Sequence, residues 1–335
     1  MVGSRKRKLV FMGSDEIALP SLEFLAEQTD ALEIAAVYTQ PDRRRGRGKA
    51  LHPNAIKVWA QEREIAVRQP EKLGDGEVEW LQENGIDLIL VMAYGHILRR
   101  NLIESVPLKT YNLHASLLPK YRGASPIEAA ISEGDEETGV TLMQVVRRLD
   151  AGPLVDAERF PIDRLETGES AKDKMAQASV AVLKRNLSAM LAGTVEVKEQ
   201  DEALATYTRK LKKEDGVIDF SVPAKALADR INALMPWPGS FLVMNDQPIK
   251  IGSADSIDET ADAEPGTILD CSEQGLRVAT AKGTLRLLSL QRPGGRLLQA
   301  EEFLRGFPIE IGTILESESM APLVSKEPFP YRRRG

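Results

Sequence analysis

The sequence predicts an α/β protein, a doubly wound and mostly parallel sheet over residues 1–194 followed by a small β-barrel over residues 216–314. Three observations carry that expectation. Short apolar runs alternate with amphipathic stretches through the N-terminal part, the pattern of strands crossing over through helices. One run, Ile86 to Met92, is almost continuously apolar, as a strand buried on both faces must be. From Ile218 onward the texture changes to short alternating runs separated by turn residues, the spacing of a small barrel.

The bulk properties agree. A chain of 335 residues exceeds one average domain, and 42% hydrophobic with 28% charged residues describes an ordinary globular protein. The single cysteine, Cys271, excludes a disulfide framework, and one cysteine with three scattered histidines leaves no zinc site, so no metal is expected. MVGSRKRKLVFMG carries only a very short apolar run, and no later segment reaches the roughly 18 apolar residues of a membrane span. A cytoplasmic location is expected. The formal net charge of −6 argues against indiscriminate nucleic-acid coating, and no DNA partner is expected.

Taken in order, Lys8 to Met12 reads as a first strand ending at Gly13-Ser14-Asp15, where Ser14 or Asp15 can cap an amphipathic stretch through Leu25. Gly13 stands without the spaced glycines of a dinucleotide or Walker loop, so no nucleotide cofactor is expected, and it is read as letting the backbone turn. Ile34 to Thr39 is a second strand, and Pro53 to Glu64 a second helix. Between them Gln40 to His52 is too long and polar for a plain connection. Five of its seven residues from Arg43 to Lys49 are basic, with Gly46 and Gly48 flanking Arg47. Either this is a solvated loop or its guanidinium groups wrap phosphates, and charge this concentrated on an acidic chain favours phosphates.

Ile65 to Gln69 and Ile86 to Met92 are further strands, the latter running into Tyr94-Gly95-His96-Ile97-Leu98. The following stretch, YNLHASLLPKYRGASP over residues 111–126, organises the chain. Alternation along a strand points Asn112 and His114 to one face. Pro119 forces a turn, and Ser125 and Pro126 suit the start of a helix into EAAIS. The pair therefore sits at a strand's carboxyl end, where open α/β sheets place ligands. TGVTLMQVV alternates like a strand and leads into Leu149-Asp150-Ala151-Gly152-Pro153, a turn. If that strand lies beside the one ending at His114, then Asn112, His114 and Asp150 converge at one sheet edge.

A strand-like segment to Pro161 and a helix from about Glu166 to Met190 close the first domain. Residues 195–215 form a basic linker in which Arg209, Lys210, Lys212 and Lys213 crowd together; it is a solvated linker by default, or a set of cations neutralising RNA backbone. A helix from Ala224 to Leu234, strands within SFLVMNDQPIKI, GTILD and GLRVATAKGTLRLLSLQ, and a helix from Ala300 stopping at Gly306 make up the second domain. Residues 315–335 read as a tail. Arg5 to Lys8 and Arg332 to Arg334 read as solvated chain ends.

Asn-x-His, a Ser-Leu-Leu-Pro turn, and an Asp in a Leu-Asp-x-Gly turn at this separation resemble the folate-dependent formyltransferases, from about Lys8 to about Leu315. The resemblance implies a Rossmann-like catalytic domain and an OB-like C-terminal domain that helps hold RNA. It implies 10-formyltetrahydrofolate as formyl donor, with Asn112, His114 and Asp150 catalytic. Ser116, Leu117, Leu118 and Pro119 would shape the folate pocket, and the backbone around His96, Ile97 and Leu98 would form one wall of it. Within the family, length and QPDRRRGRGK favour the α-amine of methionyl initiator tRNA as acceptor over a sugar nucleotide or purine precursor. Arg43, Arg44, Arg45, Arg47 and Lys49, with Arg209, Lys210, Lys212 and Lys213, would then contact tRNA. One departure is Val145-Val146-Arg147-Arg148, where many relatives carry an acidic residue and a glycine; Arg147 and Arg148 would meet the folate tail, tRNA phosphate or solvent. A non-catalytic RNA-binding protein on the same fold is the reading from another class, and the intact Asn112, His114 and Asp150 speak against it. A monomer is expected.

Overall fold

Strand β1 (Arg7–Gly13) lies in the interior of a seven-stranded sheet, its last five residues buried. It pairs in parallel with β2 (Leu32–Tyr38), which pairs in parallel with β3 (Ala66–Arg68). On its other side β4 (Leu88–Met92) and then β5 (Thr110–His114) continue in parallel. Next comes β6 (Glu137–Gln144), antiparallel to β5, and β7 (Leu154–Pro161) ends the sheet. The order 3-2-1-4-5-6-7 is that of a doubly wound sheet whose connections change direction between β1 and β4, so the expected mostly parallel α/β architecture is present. This is a computed structural model that describes residues 5–45, 50–259, 261–272 and 274–330.

Local chemistry starts the helices. Asp15 accepts a hydrogen bond from the Ile17 amide at 3.2 Å, opening a short 3-10 turn that leads into α1 (Leu19–Ala26). Asn54 caps α2 (Ala55–Glu62) by accepting from the Lys57 amide at 3.0 Å. Helix α3 (Asp75–Glu83), too polar to show a clear apolar stripe, has no counterpart in the sequence reading. Helix α4 (Arg100–Ile103) is a single turn, α5 (Pro126–Ser132) begins at its proline, and α6 spans Gly168–Ala192. Gly13 has a different job from the expected one: a Cβ there would lie 2.9 Å from the Met92 carbonyl oxygen and 2.7 Å from the Phe11 ring, so it is a close-approach glycine between β1 and β4.

The chain divides into two compact units. The first contains residues up to Arg122 with Gly139–Phe160 and Asp173–Ala205; the second contains Gly123–Thr138, Pro161–Lys172 and the chain from Thr206. In the first, Val10, Met12, Ala36, Tyr38, Ile89 and Val91 form one packed layer with Leu73, Leu81 and Leu102.

The second unit is an antiparallel sheet with α7 (Ala224–Ala233) and α8 (Ala300–Arg305). Its strands are β8 (Ser240–Met244), β9 (Gln247–Ile257), β10 (Ile268–Ser272), β11 (Gly275–Ala279), β12 (Thr284–Gln291) and β13 (Leu297–Gln299). They lie in the order 8-9-12-11-10, with β13 on β12. Asn245 and Asp246 both take positive φ, the requirement of a two-residue hairpin between β8 and β9. Phe220, Leu227, Ile231, Leu276, Leu285 and Phe303 fill the core. Residues 315–330 run back along this unit, with Leu315 and Leu323 buried and Val324–Ser325 paired antiparallel with Tyr207–Thr208.

Candidate functional site

The carboxyl end of β5 presents Asn112 and His114, two residues apart and therefore on one face. β6 lies beside it, running antiparallel, with Asn112 opposite Met143 and His114 opposite Thr141. Among the described residues the Asn112 side-chain amide has no protein hydrogen-bond partner, and it is only partly buried. His114 is buried, and its Nε2 lies 2.9 Å from the Tyr121 carbonyl oxygen. A carbonyl only accepts, so Nε2 carries the hydrogen and Nδ1 is the edge of the ring left for other work. That edge lies 3.8 Å from Asp150 Oδ2.

The turn between β5 and Tyr121 is tied to β6. The Thr141 hydroxyl donates to the Ser116 carbonyl at 2.7 Å and accepts from the Leu118 amide at 3.1 Å, while the Ser116 hydroxyl donates to the Lys120 carbonyl at 2.7 Å. Ser116 and Leu118 are thus buried and hold the turn together; Leu117 and Pro119 are its partly exposed members. Tyr121 takes φ 62°, which aims its carbonyl at His114.

Asp150 also takes a left-handed conformation, φ 46°. Gly152, two residues on, passes so close to β6 that a Cβ would lie 1.8 Å from the Gln144 carbonyl oxygen. The turn is stapled from the side: Gln200 Nε2 donates to the carbonyls of Asp150 and Gly152, both at 2.8 Å. Gln200 Oε1 in turn accepts from Arg122 Nε and Nη2, at 3.1 and 2.7 Å. Arg122 is fully buried, and Glu202 accepts from its Nη1 and Nη2 at 3.1 and 2.8 Å. Arg148 also pairs with Glu202, while Arg147 is exposed.

At the neighbouring strand ends, the Ser14 hydroxyl donates to the Tyr94 carbonyl at 3.1 Å, and Gln40 Nε2 donates to the same oxygen at 3.2 Å. These bonds tie the tips of β1 and β2 to the tip of β4, beside the switch point of the sheet. His96 stacks on Tyr94 with ring centroids 5.2 Å apart. Burial, and then the charge of Arg43, hold its imidazole below the ordinary value. Ile97 is exposed, 63%, and Leu98 is half-buried against the core.

The basic insertion has a structured root. Arg43–Arg45 pairs antiparallel with Ala50–His52, and Arg43 donates to Gln40 Oε1 at 3.2 Å. Asp42 is clamped by Gln69 at 2.9 Å and Lys57 at 2.6 Å, and these bonds lower its carboxyl below the usual range. Arg47 and Lys49 lie outside the described residues. In the second unit, Lys210, Lys212 and Lys213 are exposed, but Arg209 is turned inward to Asp215, with bonds of 2.6 and 2.8 Å. No group of His, Cys, Asp or Glu that could hold a metal ion occurs among the described residues, and none of their helices is long and apolar enough to cross a membrane.

Sequence reasoning missed Gln200, Arg122, Thr141 and Tyr121. Arg122 stands inside the signature stretch, where a buried arginine gives no local sign of itself. Gln200 is 50 positions from Asp150 in a polar segment, and nothing in the sequence ties the two together.

A doubly wound sheet with an amide, an imidazole and a carboxylate at its carboxyl edge, followed by an antiparallel β-unit, defines a class of group-transfer fold. Residues 7–187 match the formyl transferase family, and residues 210–308 match the formyl transferase C-terminal domain. The chain belongs to the formyl transferase family. It is 39% identical over 309 residues to the methionyl-tRNA formyltransferase of Moorella thermoacetica, covering 92% of this chain and 99% of that protein. It is 38% identical over 299 residues to the methionyl-tRNA formyltransferase of Halorhodospira halophila, covering 89% and 96%. Among solved structures, the sugar 3N-formyl transferase WlaRD, crystallised in the presence of dTDP and 5-N-formyl-THF, shares the fold with a TM-score of 0.65 at 18% identity. That match covers 88% of this chain and 100% of WlaRD. An N-formyltransferase of Helicobacter canadensis gives 0.64 at 19% identity, covering 86% and 100%.

Proposed function

We propose that this protein transfers a formyl group from 10-formyltetrahydrofolate to the α-amine of methionine esterified to initiator tRNA. The observation that carries this reading is similarity to methionyl-tRNA formyltransferases through both units, over 99% of one such relative's length.

The chemistry follows from the site. The amine nitrogen uses its lone pair to form a bond to the formyl carbon, and the carbonyl becomes a tetrahedral oxyanion. Collapse of that oxyanion breaks the bond to the folate nitrogen, which leaves with a proton. Asn112 has donors with no protein partner among the described residues, as an oxyanion donor needs. His114 has Nε2 committed to Tyr121, so its Nδ1 edge meets the reacting atoms. When the ring takes up a proton, Nδ1–H points toward Asp150, and the carboxylate holds the charge beside the oxyanion. Asp150 relays the proton from the attacking amine toward the leaving nitrogen.

Leu117 and Pro119, with Ile97 and the backbone from His96 to Leu98, offer apolar surface for the pterin. Ser116 and Leu118 act from behind by shaping the turn. Arg43, Arg44, Arg45, Arg47 and Lys49 would meet RNA phosphate, as would Lys210, Lys212 and Lys213. Arg209 contributes by supporting that second cluster through Asp215. The test supplies purified protein with formyl donor and either charged initiator tRNA or a dTDP-linked amino sugar. Formyl-methionine in the first arm and no product in the second is expected; the reverse outcome would transfer the chain to the sugar-modifying branch.

A further inference from the structure

We propose that Gln200, held by Arg122, is a positioning residue that sets Asp150 for the transfer step; this rests on the reading of Asp150 given above. Asp150 is in a left-handed conformation, which non-glycine residues rarely occupy unless their surroundings impose it. Here the Gln200 side-chain amide ties that turn from the side, together with the backbone bond from the Ala151 amide to the Arg148 carbonyl at 3.3 Å. The two hydrogens of Gln200 Nε2 go one each to the carbonyls of Asp150 and Gly152, which flank Ala151 on the turn.

The orientation of that amide is fixed. A guanidinium can only donate, so the atom of Gln200 facing Arg122 Nε and Nη2 must be the oxygen, and the NH2 must face the turn. Gln200 is 8% exposed and Arg122 0%, so water competes little for these bonds. Arg122 directly follows Tyr121, whose carbonyl orients the His114 ring. One buried guanidinium is therefore linked through the chain to the imidazole and through Gln200 to the carboxylate. The pair sets the spacing between the two, whereas neither Arg122 nor Gln200 touches the reacting atoms.

Replacing Gln200 by glutamate tests this. Gln200→Glu keeps an acceptor for Arg122 and removes both donors to the turn, placing oxygen against the two carbonyls. Gln200→Met removes the donors without adding charge. Each is measured alone and in an Asp150→Ala background, with kcat and KM for charged tRNA, the Kd of a folate analogue, and the thermal midpoint. The expected result is a loss of about 10- to 100-fold in kcat, the size of a small misplacement of a catalytic group. KM and folate Kd should stay within about twofold, and no further loss should appear once Asp150 is absent, because the effect passes through Asp150. An equal loss in both backgrounds would overturn the proposal, as would an unchanged kcat in folded protein or failure of both variants to fold. If Asp150→Ala alone keeps wild-type turnover, the reading of the site fails and this inference falls with it. If Asp150→Ala is inactive while both Gln200 variants are fully active, only this inference fails.

Discussion

His114 Nδ1 lies 3.8 Å from Asp150 Oδ2, and neither residue is where it is by its own strand or turn alone. The ring is held at its far nitrogen by the Tyr121 carbonyl, and the carboxylate rides on a left-handed turn pinned by Gln200. The separation is thus set by backbone carbonyls at both ends, and disturbing either end should cost rate before it costs fold.

Gly152→Ala provides one such disturbance. Its Cβ would stand 1.8 Å from the Gln144 carbonyl oxygen, so the turn must move away from β6 and carry Asp150 with it. Gly139→Ala is the comparison, because its Cβ would stand 2.0 Å from the Glu158 carbonyl oxygen and 2.8 Å from Leu117 Cδ2, so it disturbs β6 and the proposed folate surface without displacing the Asp150 turn. Both should lose about 1–3 kcal/mol of stability to overpacking. Gly152→Ala should in addition lose turnover well beyond Gly139→Ala, as read by denaturant melts alongside kcat for the pair.

The basic insertion should separate into two kinds of arginine. Arg43→Ala should weaken tRNA binding across sequences and lower the salt slope of log K by about 1, as loss of one phosphate contact does. It should also raise the His96 pKa toward the ordinary imidazole value, with burial still holding it somewhat low, which an NMR titration of the imidazole reads directly. Arg47→Lys should already reduce catalytic efficiency on initiator tRNA, because an ammonium cannot reproduce forked guanidinium contacts. Folate affinity should not change in either.

In the second unit, Arg209 and its cationic neighbours should behave differently. Burial raises the Asp215 carboxyl, but hydrogen bonds from Arg209 and the Lys212 amide, with the charges of Arg209 and Arg230, outweigh it and leave the group below its ordinary value. A carboxyl lowered by folding contributes stability above its unfolded pKa, and that contribution is lost as pH falls through the folded value. Asp215→Asn should therefore cost about 3–5 kcal/mol at neutral pH, as breaking a buried pair does, and flatten the acid end of the stability profile. Arg209→Ala should act mainly on stability, whereas Lys210→Ala, Lys212→Ala and Lys213→Ala should act on tRNA affinity, measured by melts and filter binding.

Much of this arrangement was legible in the sequence because it depends on period and on turn residues. Alternation put Asn112 and His114 on one face, and Pro119 and Gly152 marked the turns that end β5 and follow β6. What stayed hidden depends on contacts distant along the chain. Nothing in EQDEALA announces that Gln200 reaches Asp150, and Arg209 reads as a free cation until Asp215 is seen beneath it. Gly13 looked like a turn glycine because its neighbour across the sheet, Met92, is far away in sequence. The second unit also recruits residues 123–138 and 161–172, and helix α5 shows no sign in its own residues of belonging with α7. A Cβ on Gly134 would lie 2.9 Å from Asp229 Oδ2, and one on Gly168 2.5 Å from the Ala233 carbonyl, contacts that only the folded chain displays.

The central claim is that Asn112, His114 and Asp150 act on the transition state of formyl transfer to methionyl-tRNA. Single-turnover formyl transfer at saturating donor and charged initiator tRNA, run on Asn112→Ala, His114→Ala and Asp150→Ala, tests it most directly. The account predicts losses of about 10²- to 10³-fold for Asn112→Ala, the usual worth of one oxyanion donor, and comparable or larger losses for the other two, with folate-analogue affinity and thermal midpoint near wild type. Wild-type rates in all three folded variants would contradict it and place the reaction elsewhere on the molecule.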